Sequence, residues 1–294
     1  MLFKKKLEKQ LRKAGANNMT FRGDYPIHLN YPTTALNEPR WGYGKPWNAF
    51  LYDIIDRGRQ EYEHILQSFL DYKDGYQAIN KHENEKTPEE PYLTTPWLPG
   101  LDSLALYCLL AIHKPAKYIE VGSGNSTKFA YRSIRDNHLN TKIISIDPEP
   151  RAEIDTMCDQ ILRKPVEAID CQFFEQLEAN DILFIDSSHR CFMNSDATVM
   201  FLDVLPRLRP GVLVEIHDIF LPADYPPHWV ERYYSEQYLL AAYILAQGQT
   251  MDILLPNFFV TNDPQLHRIV QPIFSASIMN EVKSGGGSFW LKIK

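Results

Sequence analysis

Two short stretches of the chain set imidazole and carboxylate side chains close enough to act together. In Ile185-Asp186-Ser187-Ser188-His189 an aspartate and a histidine are three positions apart, and in Glu215-Ile216-His217-Asp218-Ile219 they are adjacent. Each pair closes an apolar run, Asp181–Asp186 and Val212–Ile216, that reads as a buried strand, so all four side chains fall at strand ends and should face one pocket. Imidazole titrates near neutrality, so His189 or His217, with Asp186 beside it, suits removal of a proton from a hydroxyl. A second chemistry uses Asp186 and Asp218 to hold a magnesium-like ion that acidifies the same hydroxyl. The sequence leaves both open.

Strand ends can share a pocket only if the strands are neighbours in one sheet, and the pattern around them supports this. After Pro99-Gly100 a helical stretch Leu101–His113 leads into alternation: strand Tyr118–Val121, helix Ser126–Asp136, strand Lys142–Asp147, helix Arg151–Asp159, strand Gln160–Val166, helix Asp170–Glu178. Strand Asp181–Asp186, helix Ser195–Leu208 and strand Val212–Ile216 follow. Strands that alternate with helices and read as continuous apolar runs predict an α/β fold with a doubly wound, mostly parallel sheet. The ending differs, with helix Ser235–Ala246 followed by strands Met251–Leu255 and Ser288–Ile293. Ahead of the sheet, residues 1–90 read as an extension: a basic amphipathic helix within 1–13, an irregular aromatic arm over 17–48, a helical stretch Ala49–Tyr72 and a polar linker Asn80–Pro91. The α/β domain then spans 91–294.

The first strand-to-helix turn of such a sheet is the usual ligand contact. Here it is Gly122-Ser123-Gly124-Asn125-Ser126-Thr127. Glycines let the backbone approach a ligand, and Ser126 can cap the helix. Thr127 stands where a dinucleotide fingerprint needs its third glycine, and a phosphate loop would need Gly-Lys-Ser/Thr. Glu120 precedes the glycines; a carboxylate there would repel a pyrophosphate but suits the ammonium of an amino-acid moiety, such as that of S-adenosylmethionine. Asp147, ending the second strand, is placed to accept hydrogen bonds from ribose hydroxyls.

Tyr118-Ile119-Glu120-Val121-Gly122-Ser123-Gly124 resembles motif I of class I S-adenosylmethionine-dependent methyltransferases. Asp147 matches the acid that ends that family's second strand, Asp181–Asp186 resembles its fourth strand, and Arg207–Leu213 resembles the turn before its fifth. The resemblance covers about residues 100–294 and implies a Rossmann-like, seven-stranded sheet. Within the superfamily, Ile185–His189 and Glu215–Ile219 are similar to methyltransferase family 24, with Asp186-Ser187-Ser188-His189 in place of the usual Asp-Gly-x-His. It implies a cofactor site of Glu120, Gly122, Ser123, Gly124, Asn125, Ser126, Asp147 and Glu167, the last near the adenine edge. It also implies methyl transfer to a small molecule, such as a sugar or natural-product hydroxyl. Catalysis would fall to His189, His217 and Asp186, with Mg2+ on Asp186 and Asp218 as the metal-dependent form. The competing readings are a cephalosporin-hydroxylase-like relative with another reaction on the same sheet, and a nicotinamide-dependent oxidoreductase, which Thr127 and Glu120 disfavour.

Charge bounds the partners. A net charge of -6 argues against general nucleic-acid binding, although residues 1–13 alone carry +5. That basic helix offers a membrane-surface contact and, as the last-ranked reading, a membrane-associated interaction protein. Phe220, Tyr225, Pro226, Pro227, Trp229, Tyr233 and Tyr234 read as a lid or wall over the acceptor, with His228 and Arg232 reaching an acidic or sugar group. The arm Trp41–Phe50 could cover this chain's site or a neighbour's in a homo-oligomer. Cys108, Cys158, Cys171 and Cys191 form no Cys-x-x-Cys pair. With no apolar run of about 18 residues and no signal-peptide core, the expectation is a cytoplasmic protein.

Overall fold

The computed structural model describes residues 38–294. The basic segment 1–13, with its membrane reading, and the arm as far as residue 37 lie outside the described residues. Seven strands form one sheet: β1 (Lys117–Val121), β2 (Lys142–Ile146), β3 (Gln160–Leu162), β4 (Ile182–Ile185), β5 (Leu213–Ile216), β6 (Met251–Pro256) and β7 (Phe289–Ile293). Their order is β3-β2-β1-β4-β5-β7-β6. β1 to β5 are parallel, and β7 is antiparallel to both of its neighbours.

The chain leaves β1 for β2 and β3 and then returns to lay β4 on the other side of β1. At such a reversal the connections depart to opposite faces and leave a crevice at the carboxyl ends of the strands. The four residues of β4 and of β5 are all buried, as apolar strands covered on both faces must be. Helices Gly100–His113 and Asn125–Asp136 pack together beside β1. The first is apolar on every side and almost wholly buried, as such helices are. The second begins directly at the glycine turn.

Several boundaries differ from the sequence expectation. Arg151–Asp159 is not a helix: after Pro148 and Pro150 only a 3₁₀ turn, Asp155–Met157, forms. Asp170–Glu178 is likewise a 3₁₀ segment, Cys171–Gln176, and β3 stops at Leu162. The helix expected over Ser195–Leu208 is continuous but changes pitch, from an α-turn at Asp196–Val199 to a π segment at Met200–Val204 and a 3₁₀ turn at Leu205–Arg207. Two further helices, Asn257–Asn262 and Pro264–Phe274, fill the chain between β6 and β7. The second was signalled by Asp263-Pro264: the aspartate side chain accepts the amides of Gln265 and Leu266, and proline suits the first helical position.

The compact unit runs from Asn37 to Lys294, so residue 90 is not a packing boundary. Leu51, Ile55, Tyr62, Leu66 and Phe69, from helices Ala49–Asp56 and Arg59–Ser68 and the turn after them, join the same hydrophobic core as the sheet. The Tyr76 hydroxyl bonds Ser103 at 2.8 Å inside that core. The polar run Asn80–Pro91 is also not a free linker. Glu90 accepts from Arg135 at 2.7 Å and Arg132 at 3.1 Å, and the Lys128 ammonium donates to the Pro88 carbonyl. All three basic residues stand on helix Asn125–Asp136.

The bond from Arg135 holds the Glu90 carboxyl below its usual range. A carboxyl depressed on folding stabilises the protein fully above its unfolded pKa of about 4.3 and loses that contribution as pH falls through its folded value. Glu90→Gln should therefore lower stability by about 1 kcal/mol at neutral pH. The gap between the urea midpoints of the variant and wild type should close below about pH 4. A gap that persisted at low pH would assign the loss to packing instead.

Candidate active site

At the end of β1 the backbone turns through Gly122, at φ +82, so close to β4 that a Cβ would lie 1.9 Å from the Asp186 carbonyl oxygen. Only glycine fits, both for its conformation and for this approach. The Ser123 amide donates to Asp147 Oδ2 at 2.8 Å, and the Glu149 amide donates to the other oxygen at 2.7 Å. Asp147 is thereby fixed at the end of β2. Between these strand ends lies a cavity of about 330 Å³. Gly122, Ser123, Gly124, Asn125, Ser126, Asp147 and Glu167 line it, and Asp186 closes one side.

Glu120 is placed differently from the sequence expectation. It is fully buried beneath the loop, where it accepts hydrogen bonds from the Thr127 hydroxyl and, at 3.2 Å, from Tyr118; it is not among the residues lining the cavity. Burial pushes its carboxyl up to about 8, against the lowering effect of its hydroxyl partners. Through these hydroxyl contacts Glu120 braces the turn. Thr127, in the place of the third glycine, takes part in that brace: its hydroxyl also accepts the Gly124 amide at 3.0 Å.

A second cavity, of about 570 Å³, adjoins the first, and Trp97, Arg151 and Asp186 line both. Asp186, His189, His217 and Asp218 all face it, as their strand ends required. His189 and Asp218 adopt left-handed backbone angles, φ 62 and φ 58, a strained choice for residues with side chains. His189 Nε2 lies 3.1 Å from Asp186 and 3.5 Å from Asp218. Its Nδ1 bonds Glu236, a fully buried residue at the start of helix Glu236–Leu245. The backbone repeats the attachment, because the Ser235 and Glu236 amides donate to the His189 carbonyl at 2.7 and 3.2 Å. His217 is held from below by Glu215 and Ser288, each 3.2 Å from Nδ1.

These contacts decide charge. Burial works against a charged His189, but Glu236 and the bond to Asp186 outweigh it and hold the imidazole well above the ordinary histidine range. His217 is raised in the same way by Glu215. Burial would also raise Asp186, but the bond from His189 and the nearby His217 keep its carboxyl below the usual range. For Asp218 burial prevails and the carboxyl is raised, against the opposing pull of the two histidines. Glu236 was not found from sequence, since it lies 47 positions from His189 and nothing local marks it. Asp102 was also missed. Buried at the second cavity, it accepts the Gly287 and Ser288 amides at 2.7 and 2.8 Å and fixes the triple-glycine segment.

His189 Nε2 approaches both Asp186 and Asp218, so a hard cation held by these two carboxylates would have to compete with that ring nitrogen. Among the described residues, no group of three or more His, Cys, Asp and Glu side chains could hold a metal ion.

Part of the expected aromatic wall lines the cavity, while Tyr225, Pro227 and Tyr233 do not. Phe220, Trp229 and Tyr234 line the second cavity and meet edge to face, with Phe220–Trp229 centroids 5.1 Å apart and Trp229–Tyr234 centroids 5.5 Å apart. The described part of the arm packs on this wall from outside: Trp47 meets Phe258 at 6.1 Å, and the Asp224 amide donates to the Trp41 carbonyl.

A sheet ordered β3-β2-β1-β4-β5-β7-β6 with one antiparallel strand, a glycine turn after β1 and a fixed acid ending β2 together define the class I methyltransferase architecture. Residues 119–219 match the family model Methyltransf_24, described as a methyltransferase domain. The matched stretch holds the glycine turn, Asp147 and both strand-end pairs, and over it the chain is similar to methyltransferase domains. No curated protein matches it. Among solved structures it is similar to SAH-bound methyltransferase PaMTH1 of Podospora anserina, at 14% identity and TM-score 0.41, covering 86% of this chain and 100% of that one. It is also similar to a Bacillus cereus O-methyltransferase in complex with SAH, at 13% identity and TM-score 0.36, with 78% and 90% covered. A third is the O-methyltransferase TomG of Streptomyces achromogenes, involved in tomaymycin synthesis and solved with SAM, at 12% identity and TM-score 0.34, with 84% and 96% covered. Among the described residues, no helix is long and apolar enough to cross a membrane.

The loop geometry makes two variants informative. Asp147→Ala should weaken S-adenosylhomocysteine binding about 10- to 100-fold in calorimetric titration, by removing a hydrogen-bonded carboxylate and releasing the Ser123 amide. Gly122→Ala should lower the unfolding midpoint and abolish binding together, because its methyl group has no room. Unchanged affinity in Asp147→Ala would remove this carboxylate from the cofactor site.

Proposed function

We propose that this protein methylates a hydroxyl group of a small molecule, of sugar or natural-product type, held in the larger cavity. The observation that carries the reading is the position of Asp186. It lies on the wall shared by the two cavities, with His189 and Asp218 beside it. A methyl donor on one side and a hydroxyl on the other would therefore meet next to groups able to manage a proton. Bound S-adenosylmethionine supplies an electrophilic methyl group on a positively charged sulfur.

Transfer forms a carbon–oxygen bond, breaks the carbon–sulfur bond and releases the hydroxyl proton, which this chain must receive. His189 and His217 are poor receivers, since their carboxylate neighbours raise both above the ordinary histidine range. Asp186 is stabilised in its ionised form and binds a proton weakly. Asp218 is the carboxylate whose proton affinity burial increases, and a base works best when its affinity rises toward neutrality. We therefore assign Asp218 as the base. His189 holds Asp186 and Asp218 apart and offsets their charge, and Glu236 fixes the tilt of the ring.

With acceptors drawn from a panel of hydroxylated sugars and phenolic acids, Asp218→Asn should lower turnover by about 10²- to 10⁴-fold, the usual contribution of general base catalysis. S-adenosylhomocysteine affinity should stay within about threefold, because Asp218 does not line the cofactor cavity. Glu236→Gln should lower kcat more than it raises KM, and a chelator should leave the wild-type rate unchanged. Full turnover by Asp218→Asn would sink the assignment, and loss of activity on chelation would return the two aspartates to a metal.

A further inference from the structure

The mouth of the larger cavity gathers basic side chains. Arg151, His228, Arg232 and Lys283 all line it and all reach solvent. Among the described residues none of them forms an ion pair with a carboxylate. The acids lining the same cavity are Asp102, Asp186 and Asp218, and each already has partners within the fold: Asp102 binds two backbone amides and Asn257, and the other two flank His189. A chain of net charge -6 thus presents a basic rim at one opening, which attracts and orients anions.

Arg232 is also held in place. Its guanidinium carbon lies over Trp229, 3.9 Å from the ring centroid, with the Tyr234 centroid at 5.5 Å. Its carbonyl accepts a bond from Arg190 Nε at 2.9 Å. Stacking covers the faces of a guanidinium and leaves its N–H edge free, in the fork geometry that matches carboxylate and phosphate oxygens. The ring that supports Arg232 belongs to the wall against which a planar acceptor would lie. The anion site and the ring site are therefore contiguous.

We propose that the methyl acceptor is a hydroxylated ring compound carrying an anionic group, carboxylate or phosphate. The ring packs on Trp229 and Phe220, and the anion sits at Arg232 and Lys283. This rests on the larger cavity being the acceptor site of a methyltransferase.

Fragments test it on the full-length protein saturated with S-adenosylhomocysteine. Benzoate and phenyl phosphate supply a ring with each anion, and benzyl alcohol supplies the ring alone; binding is read by quenching of tryptophan fluorescence. At least one anionic fragment should bind about tenfold more tightly than the alcohol at low salt, and the preference should shrink as salt is added. Whichever anion is preferred identifies the group. Arg232→Gln and Lys283→Ala together should reduce the preference to less than about twofold with S-adenosylhomocysteine affinity retained, which also shows that the variant is folded. Equal binding of all three fragments, no binding of either anion up to about 10 mM, or a preference that survives both substitutions would overturn the proposal. Failure of the wild type to bind S-adenosylhomocysteine would instead strike the methyltransferase reading, and is measured first.

Discussion

The carbonyl of Asp186 occupies the space that any side chain at position 122 would need. Through that contact the turn after β1 and the end of β4 come together, and the two cavities acquire a common wall. Were the turn held further away, the glycine loop and the Asp186–His189 stretch could each form and still serve different spaces. The parallel pairing of β1 with β4 sets the strands side by side, with Val121 opposite Ile185. The Asp186 amide then continues the ladder to the Val121 carbonyl at 2.9 Å.

From this junction outward, acids act by different means according to their partners. Glu120 meets hydroxyl groups and braces the turn. Asp147 accepts backbone amides and is positioned for a ligand. Glu236 meets an imidazole and raises it above the ordinary histidine range. Glu215, pushed up to about 7 by burial, supports His217 in a similar way from within β5. Burial raises Glu120, Glu215 and Glu236 alike, and the specific partner decides what each holds in place.

Local features of the sequence were therefore enough for the sheet and for the cofactor turn. The apolar runs of β4 and β5, Gly122-Ser123-Gly124 and Asp147 each carry their own signal, and the reversal of strand order collects them at one crevice. The setting of the strand-end histidines was harder to read, because the preference of a histidine for its proton depends on neighbours distant in sequence. Glu236 lies on a helix after the aromatic segment, and no spacing rule ties it to His189. The same limit explains Glu120, which matches a family motif by position while burial raises its carboxyl. The helix expected over 151–159 shrinks to the turn Asp155–Met157, and the missed helix Pro264–Phe274 had a legible cap in Asp263.

The division of charge between depth and rim follows from the same physics. Deep carboxylates need partners because an uncompensated ion is costly away from water, and here imidazoles and backbone amides provide them. Rim cations need none, since solvent already stabilises them, and so they remain available to a ligand. An acceptor that is neutral throughout would make no use of a guanidinium held over Trp229. One that carries an anion beyond its ring would be drawn in by the rim and turned by the fork of Arg232, leaving its hydroxyl end directed toward Asp218 and the wall that both cavities share.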